Sequence, residues 1–250
     1  MIPPPLFASL PMYDWPEFLS ATDSFWAGLS RHLGFMGKLD HRAAHDALWR
    51  NPQLVFSQTC GYPFTHEFSG ILHYLATPHY AADGCEGARY CSIILAREKQ
   101  PLAEFKTARS AINSLDSMSG MLALKLVMAG QLSKGDFFVP PVITGSHLGS
   151  MAAVQQGKAD ICAIDCVCIA LARKYRPEAL EGLVEIARSP HVPGLPYVTR
   201  SASVPIMRQR LWAAFADPEL AEVRAALLLN DVSVLADNVY DIIPALEADL

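Results

Sequence analysis

The sequence has little charge and no concentration of basic residues. Charged residues make up 18% of its 250 positions, and 20 Lys and Arg stand against 25 Asp and Glu, giving a formal net charge of −5. Proteins that bind nucleic acids or anionic membranes usually display clustered Lys and Arg, so we expect no nucleic-acid partner. Hydrophobic residues reach 51%, a share that excludes an intrinsically disordered chain.

The sequence also lacks a long apolar run. The segments 118–130 and 161–172 are interrupted by Lys125 and Asp165, whereas a transmembrane helix needs about 18 or more apolar residues. No secretory signal can be read at the N-terminus, where three prolines stand together and the first basic residue is Arg31. We therefore expect no membrane insertion, and a chain that is either cytoplasmic or has lost a leader.

The usual catalytic and nucleotide-binding motifs are missing. The sequence has neither a P-loop nor a G-x-G-x-x-G fingerprint, which disfavours nucleotide binding. It also has no G-x-S-x-G elbow and no H-E-x-x-H pair. We accordingly predict no catalytic residue, no metal and no cofactor.

The six cysteines leave the redox compartment open. Cys162, Cys166 and Cys168 fall in a run rich in Val, Ile and Ala, which predicts buried core thiols. Their spacing is not that of a structural zinc site. Cys85 and Cys91 flank a glycine-containing loop and are an alternative disulfide pair.

Short apolar segments alternate with amphipathic ones along the chain, which is typical of the α/β class. The pattern predicts strands at 6–13, 54–57, 70–77, 91–96, 107–113, 137–144, 160–164 and 183–187, and one more after Pro196. It predicts helices at 18–33, 41–50, 117–130, 145–157 and 165–175, and a helical C-terminus with an apolar stripe of Ile206, Met207, Leu211, Trp212 and Phe215.

Two such series are too long for one simple sheet, so we predict two α/β lobes. Each lobe is expected to be a mostly parallel sheet flanked by helices. Lobe I comprises 1–88 and 192–250, and lobe II comprises 89–191. In open α/β sheets, ligands bind beyond the carboxyl ends of the strands, so the ligand cleft is expected between the lobes.

Two turns rich in hydroxyl groups and glycine are candidate sites. Ser117-Met118-Ser119-Gly120 joins a predicted strand to a helix, and Thr144-Gly145-Ser146-His147 repeats this arrangement one unit later. Backbone N–H groups and hydroxyls at a helix start form a cradle for an anion. The alternative is an ordinary helix N-cap without a ligand.

Other polar residues follow predicted strands. Asp165 comes directly after an apolar strand, where it either accepts a hydrogen bond from a ligand or caps the next helix. The turn at 57–62 is comparable to the two hydroxyl-rich turns but lies in the first lobe.

An ordered set of short motifs gives the chain a family resemblance. The motifs are Leu54–Pro63, Thr77–Tyr80 with Gly84–Gly87, Ala111–Gly120, Thr144–His147, Ala159–Asp165 and Pro193–Pro196. Together, over roughly residues 8–200, they resemble the phosphate/phosphonate-type substrate-binding proteins of ABC transporters, the phosphonate-binding branch of the type 2 periplasmic-binding fold.

The resemblance implies a two-lobed clamp with two crossover strands, closing on a small anion by hinge motion. The phosphonate-holding turn of the family, Ser-Thr-Ser-Gly, reads Ser117-Met118-Ser119-Gly120 here, so the middle hydroxyl is lost. This replacement indicates a ligand that is different from, or larger than, a simple phosphonate. The other ligand-binding positions that the resemblance implies are Ser146, His147, Asp165, Tyr13, Gln58, Thr59 and Tyr80.

We therefore expect a solute-binding protein that captures a phosphate- or phosphonate-like oxyanion for an ABC importer, without covalent chemistry. An ABC permease is the implied partner, and the periplasm is the implied location. Two alternatives stay open, a cytosolic enzyme of the menaquinone- or pyrimidine-precursor type on the same fold and a cytosolic ligand sensor.

Overall fold

Strands and helices alternate along the chain in the computed structural model, which describes residues 6–131 and 140–250. In these residues the strands are β1 (Phe7–Ser9), β2 (Leu54–Gln58), β3 (His73–Tyr80), β4 (Cys85–Glu86), β5 (Arg89–Tyr90), β6 (Ser92–Ala96), β7 (Ser110–Ile112), β8 (Val142–Ile143), β9 (Ile161–Asp165), β10 (Val184–Arg188), β11 (Val192–Pro193), β12 (Tyr197–Thr199) and β13 (Leu229–Ser233).

The α-helices are α1 (Leu19–Leu33), α2 (His45–Arg50), α3 (Gly61–Thr65), α4 (Ala123–Met128), α5 (His147–Gln155), α6 (Cys166–Tyr175), α7 (Val204–Ala216), α8 (Ala221–Ala226) and α9 (Ile242–Ala248). A π-helical turn, Met118–Leu122, leads directly into α4. Within the described residues, no helix combines the length and the apolar character that a membrane crossing needs.

The described residues form two compact units. The first contains the residues up to Ala81 together with Pro193–Val239, and the second contains Ala82–Val192 with Tyr240–Leu250. The predicted division differs at the C-terminus, where it assigned all of 192–250 to the first lobe. The short terminal helix α9 groups with the second unit instead, and its Ile243 is fully buried.

The first unit is built on a five-stranded sheet in the order β1-β2-β12-β3-β13. β1, β2 and β3 run in one direction, and β12 and β13, which come from the returning segment of the chain, run in the other. Among the described strands of this sheet, only the β1–β2 pairing is parallel, so the expectation of a mostly parallel sheet is wrong for this unit. One core cluster joins α1 and α7 to this sheet through Phe25, Leu29 and Leu211, among others. Burying each such side chain contributes about 1.5–3 kcal/mol.

A second apolar cluster of the first unit involves α2 and the residues before β3. Its buried members are Leu48, Trp49, Leu54, Phe68, Leu72 and Val198. The two clusters together bury all five residues of β2. The polar residues at the end of this strand therefore lie at the edge of the packed core.

The second unit contains a five-stranded sheet in the order β10-β6-β9-β7-β8. β7 pairs in parallel with both β8 and β9, whereas β6 is antiparallel to its two neighbours β9 and β10. β9 is completely buried. Because β7, β8 and β9 run in the same direction, their carboxyl ends lie along the same edge of the sheet.

Several predicted elements differ in extent from the observed ones. The strand predicted at 107–113 is formed only by Ser110–Ile112, and of 137–144 only Val142–Ile143 is a strand, while 137–139 lie outside the described residues. The sequence pattern also missed β13 and the β4–β5 pair, because two-residue strands and a strand with exposed Asn and Asp carry little apolar signal.

The apolar stripe predicted on α7 is partly wrong. Met207, Leu211 and Phe215 are buried at spacings of four residues, but Ile206 and Trp212 are 53% and 50% exposed. Each of these two residues is rotated by one position, about 100°, from a buried one, so they lie beside the packed face of the helix.

Candidate functional site

The sequence-predicted residues of the second unit follow three parallel strands. β7 ends at Ile112, β8 ends at Ile143, and β9 ends at Asp165. Since the carboxyl ends of these strands share one edge, the turns after them are brought together by the sheet. This is the edge at which open α/β folds bind ligands.

The first turn begins with Ser117, which caps the helical run starting at Met118. The Ser117 hydroxyl accepts a hydrogen bond from the Gly120 N–H at 2.9 Å, and its carbonyl accepts from Leu122 N–H at 3.0 Å. The run opens with a π-helical turn, a rare conformation that is frequent at functional sites. The N-cap that the sequence analysis kept open is thus present, and it fixes Ser117 at a helix start.

Met118, which stands where the family turn has its middle hydroxyl, is buried in the protein interior. Its side chain is only 1% exposed and is among the largest fully buried side chains of the described residues. A ligand-binding role for Met118 stays a prediction, and the burial of its side chain favours a contact through its backbone.

The second turn begins with Ser146, which caps α5. Its hydroxyl accepts a hydrogen bond from Gly149 N–H at 3.0 Å, and His147 is the first residue of the helix. The imidazole Nε2 of His147 lies 2.9 Å from the hydroxyl oxygen of Ser119. This hydrogen bond connects the two turns, and we call Ser117, Ser119, Ser146 and His147 the Ser/His cluster.

His147 is uncharged at neutral pH. Burial lowers the pKa of its imidazole to about 4, although the nearby Ala163 backbone partly offsets this effect. None of the four members of the Ser/His cluster is a Lys or Arg, so its polar character comes from hydroxyls, a neutral imidazole and helix N-termini.

Asn113 is a further residue of this region that the sequence analysis quoted within a motif but did not assign to the site. Its carbonyl accepts a hydrogen bond from Gly145 N–H at 3.0 Å. Its side-chain oxygen presses against Gly120, where an added Cβ would lie 1.8 Å from it. This buried Oδ1 has no hydrogen-bond partner within the described residues. Asn113 thus contacts both turns, and its signal in the sequence is its place directly after β7.

Asp165 has the capping function that the sequence analysis held open. It is 1% exposed, and its Oδ1 accepts a hydrogen bond from Val167 N–H at 2.7 Å at the start of α6. The structure therefore shows the helix N-cap, and a contact between Asp165 and a ligand amine or hydroxyl stays a prediction.

The predicted residues of the first unit also come together. Gln58 ends β2 and Tyr80 ends β3, and the amide Nε2 of Gln58 lies 3.1 Å from the Tyr80 hydroxyl. The ring of Tyr13 packs edge-on against that of Tyr80 at a centroid distance of 5.2 Å. Tyr197, which the sequence analysis missed, hydrogen-bonds to Tyr80, and burial raises the pKa of Tyr197. We call Tyr13, Gln58, Tyr80 and Tyr197 the Tyr/Gln cluster.

Two neighbouring segments support this cluster. Gln58 Nε2 also donates to the Leu195 carbonyl at 3.1 Å, and Thr59 N–H donates to the Pro196 carbonyl at 3.1 Å. The Pro193–Pro196 motif therefore holds the end of β2 in place. The side chain of Thr59 is buried and its hydroxyl faces the Cys60 carbonyl at 3.3 Å, so Thr59 acts here through its backbone.

No group of three or more His, Cys, Asp or Glu in the described ranges has an arrangement that could hold a metal ion. The chemistry of both clusters is instead that of neutral hydrogen-bond donors and acceptors. Such an arrangement offers hydrogen-bond donors and acceptors to a polar ligand.

The comparison with solved structures finds the same fold in periplasmic binding proteins. PhnD1 from Prochlorococcus marinus, in complex with methylphosphonate, is 15% identical with a TM-score of 0.75, and the match covers 98% of this chain and 97% of that one. A binding-protein component of an ABC phosphonate transporter from Pseudomonas aeruginosa (PA3383) is 17% identical, with 97% and 85% coverage and a TM-score of 0.76.

A third similar structure has a different ligand. XAC2383 from Xanthomonas citri, bound to ATP, is 17% identical, with 97% and 96% coverage and a TM-score of 0.69. At these identities the likeness concerns the fold, and it confirms the predicted two-lobed α/β fold of periplasmic binding proteins. Among curated proteins, none matches the sequence significantly.

The family comparison covers most of the chain. The family described as "ABC transporter, phosphonate, periplasmic substrate-binding protein" matches residues 7–232, a range that includes both the Ser/His cluster and the Tyr/Gln cluster. The resemblance stated from the sequence motifs is thereby confirmed. The chain belongs to the phosphonate-binding family of periplasmic substrate-binding proteins of ABC transporters.

Proposed function

We propose that this protein binds a small phosphate- or phosphonate-like oxyanion at the Ser/His cluster and presents it to an ABC permease. The observation that carries the proposal is the 2.9 Å hydrogen bond between the Ser119 hydroxyl and His147 Nε2. It joins two helix starts into one polar surface. Helix N-termini favour anions because their first N–H groups and the helix dipole both present positive charge.

The neutral character of the cluster suits a protein that must release its ligand. Hydroxyls, an uncharged imidazole and helix N-termini hold an oxyanion without a salt bridge to a Lys or Arg. Hydrogen bonds from neutral donors to an oxyanion carry a full charge on the ligand only, whereas a salt bridge pairs two full charges. A cluster without Lys or Arg binds the anion and still lets it dissociate towards the permease.

The Tyr/Gln cluster supplies the second part of the proposal. Its phenol and amide groups are suited to contact the part of the ligand that is not the oxyanion, with Tyr13, Gln58 and Tyr80 as the contacting side chains. The solved relatives with methylphosphonate and with ATP show that one fold accepts ligands of very different size. We therefore assign selection among phosphoryl compounds to this cluster.

The test is calorimetric titration of the purified chain with inorganic phosphate, methylphosphonate, methanesulfonate and acetate. We expect saturable binding of phosphate or methylphosphonate, and loss of this binding in a Ser117→Ala/Ser119→Ala double variant. Ser114→Ala, in the same loop but outside the cluster, is the matched control and should bind as the wild type does. Absence of binding for every anion, or unchanged binding in the double variant, would contradict the proposal.

The proposal includes binding without covalent chemistry, in the periplasm. Methylphosphonate recovered unchanged after prolonged incubation with the protein is the expected result, whereas release of inorganic phosphate would favour the enzyme alternative. Fractionation of cells that express the native gene should place the protein with periplasmic markers. Cross-linking in membranes from these cells should give an adduct with the permease, and an adduct with a signalling protein instead would favour the sensor alternative.

A further inference from the structure

Three cysteines of the second unit converge at the start of α6. The Sγ atoms of Cys85 and Cys166 are 3.5 Å apart, although the two residues are 81 positions apart in the sequence. The Cys91 thiol hydrogen-bonds to that of Cys166. All three are free thiols.

Gly84 makes this close approach possible. Its φ of +100° is rarely adopted by residues with a side chain, and a Cβ added there would lie 2.9 Å from Cys91 Sγ and 2.8 Å from Cys166 Cβ. Gly84 has only a hydrogen atom where any other residue would place its Cβ. A glycine at position 84 therefore leaves room for the thiols.

We propose that Cys85 and Cys166 are a thiol-oxidation site. The two cysteines form a disulfide with each other when they react with a low-molecular-weight disulfide such as oxidised glutathione. A sulfur–sulfur bond is about 2.05 Å long, so the two Sγ atoms have to approach each other by roughly 1.5 Å. Rotation of the two side chains supplies part of this distance. The inference does not depend on which ligand the protein binds.

The different exposure of the three thiols indicates which of them reacts first. Cys85 is partly exposed, whereas Cys91 and Cys166 are 1% and 0% exposed. The hydrogen bond with Cys85 raises the pKa of the Cys166 thiol, and the hydrogen bond with Cys166 raises that of Cys91; burial adds to both effects. A raised pKa keeps a thiol in its unreactive protonated form, so the first reaction belongs to Cys85.

The reaction is a thiol–disulfide exchange in two steps. The Cys85 thiolate attacks one sulfur of oxidised glutathione, and the glutathione sulfur–sulfur bond breaks to release one glutathione. The Cys166 thiol then attacks Cys85 Sγ and passes its proton to the departing glutathione sulfur, which leaves as the second glutathione. Two protein thiols are oxidised to one disulfide, and oxidised glutathione is reduced to two glutathione thiols.

The bond would lie beside a predicted ligand-binding residue. Cys166 directly follows Asp165, whose Oδ1 caps α6, and Cys166 N–H donates to the Cys91 carbonyl at 3.2 Å. A disulfide from Cys85 to Cys166 therefore ties β4 to the first residue of α6.

The pairing differs from the one that the sequence suggested. Proximity along the chain favours Cys85 with Cys91, but in the antiparallel β4–β5 pair it is Tyr90 that lies opposite Cys85. Neighbouring residues of a strand point to opposite faces, which explains why Cys91, directly after Tyr90, is not the thiol that Cys85 meets most closely.

The test oxidises the full-length protein with oxidised glutathione and counts its thiols after denaturation. We expect the wild type to lose two of its six thiols. The Cys85→Ser variant should lose none by internal disulfide formation. Cys60→Ser is the matched control, because Cys60 is also partly exposed but belongs to the first unit, and it should still form the disulfide.

Peptide mapping of the oxidised Cys60→Ser variant shows which peptide is linked to Cys85, because Cys60 and Cys85 lie in the same peptide, residues 51–89. Cleavage after Lys and Arg separates Tyr90–Arg97, with Cys91, from residues 159–173, with Cys162, Cys166 and Cys168. We expect a link to residues 159–173, and a Cys166→Ala substitution should remove it, which distinguishes Cys166 from Cys162 and Cys168. An unchanged thiol count in the wild type, or a link to Tyr90–Arg97, would overturn the proposal.

Discussion

The two polar clusters are built in different ways. In the Ser/His cluster, Ser117 and Ser146 accept hydrogen bonds from backbone N–H groups three residues further along the chain. In the Tyr/Gln cluster, Gln58 bonds to side-chain and backbone groups that are 22 and 137 positions away. The first cluster is therefore organised by local helix starts, and the second by the pairing of distant strands.

This difference implies different sensitivities to substitution. The loss of a helix cap weakens only one turn. The two helix starts of the Ser/His cluster are also in close contact through Asn113, which packs against Gly120. The Tyr/Gln cluster is held by several weak contacts, among them a hydrogen bond and an edge-on ring contact, and one contact can be removed while the others remain. Substitutions should therefore have larger effects on stability in the Ser/His cluster than in the Tyr/Gln cluster.

The largest effect is expected for Gly120→Ala. The added Cβ would overlap with Asn113 Oδ1, at 1.8 Å, so the two turns must move apart. We expect a loss of about 3 kcal/mol in the free energy of unfolding, as for overpacked cores, and loss of anion binding. Urea denaturation and calorimetry measure both. Gly130→Ala, where nothing lies within 4 Å, should change stability by no more than about 0.5 kcal/mol.

A second substitution separates the steric effect from other effects of Gly120→Ala. Removing the Asn113 side chain in an Asn113→Ala/Gly120→Ala double variant eliminates the overlapping atom. We expect this double variant to be more stable than Gly120→Ala alone, since residues in contact are coupled. Equal or greater destabilisation would show that the Asn113–Gly120 contact does not join the two turns.

Acid should weaken the unit with the Ser/His cluster through His147. Its pKa is lowered from 6.5 to about 4 by burial, so between these values the unfolded chain binds a proton that the folded protein excludes. Stability should therefore fall as the pH decreases below about 6.5 and level off below about 4, by about 3 kcal/mol in all. Urea denaturation across this range is the measurement. A His147→Gln variant should lose this part of the pH dependence, and an unchanged profile would contradict the assignment.

The same range of pH leaves the Tyr/Gln cluster without a comparable change. Burial raises the pKa of Tyr197, which therefore stays protonated at acidic and neutral pH alike. Acid thus distinguishes the two clusters without any substitution.

The difference between local and distant contacts also explains what could be predicted from the sequence. The two caps follow from Ser at a helix start, and an N-cap was kept as the alternative to an anion cradle. The 2.9 Å contact between Ser119 and His147 was not, because it depends on β7 and β8 lying side by side. Tyr197 and the Cys85–Cys166 approach were missed for the same reason, since each joins strands or helices that are far apart in the chain.

A smaller effect is expected for Ser117→Ala alone. The variant removes the hydroxyl that accepts from Gly120 N–H, and the loss of such a cap costs about 1 kcal/mol. Ser117→Thr, which keeps a hydroxyl, should recover most of this stability in urea denaturation. If Ser117→Ala were as stable as the wild type, the capping bond would not contribute to the Ser/His cluster.

The smallest effect on the binding of inorganic phosphate is expected for Tyr80→Phe in the Tyr/Gln cluster. The variant removes the hydroxyl that lies 3.1 Å from Gln58 Nε2 but keeps the ring that packs against Tyr13. Gln58 retains its hydrogen bond to the Leu195 carbonyl, whereas the buried Tyr197 hydroxyl loses its bond to Tyr80. We therefore expect a loss of about 1 kcal/mol in stability, with unchanged binding of inorganic phosphate and altered affinity for larger phosphonates. Calorimetry with both ligands measures this difference, and an equal loss of affinity for phosphate would mean that the two clusters do not divide recognition of the ligand between them.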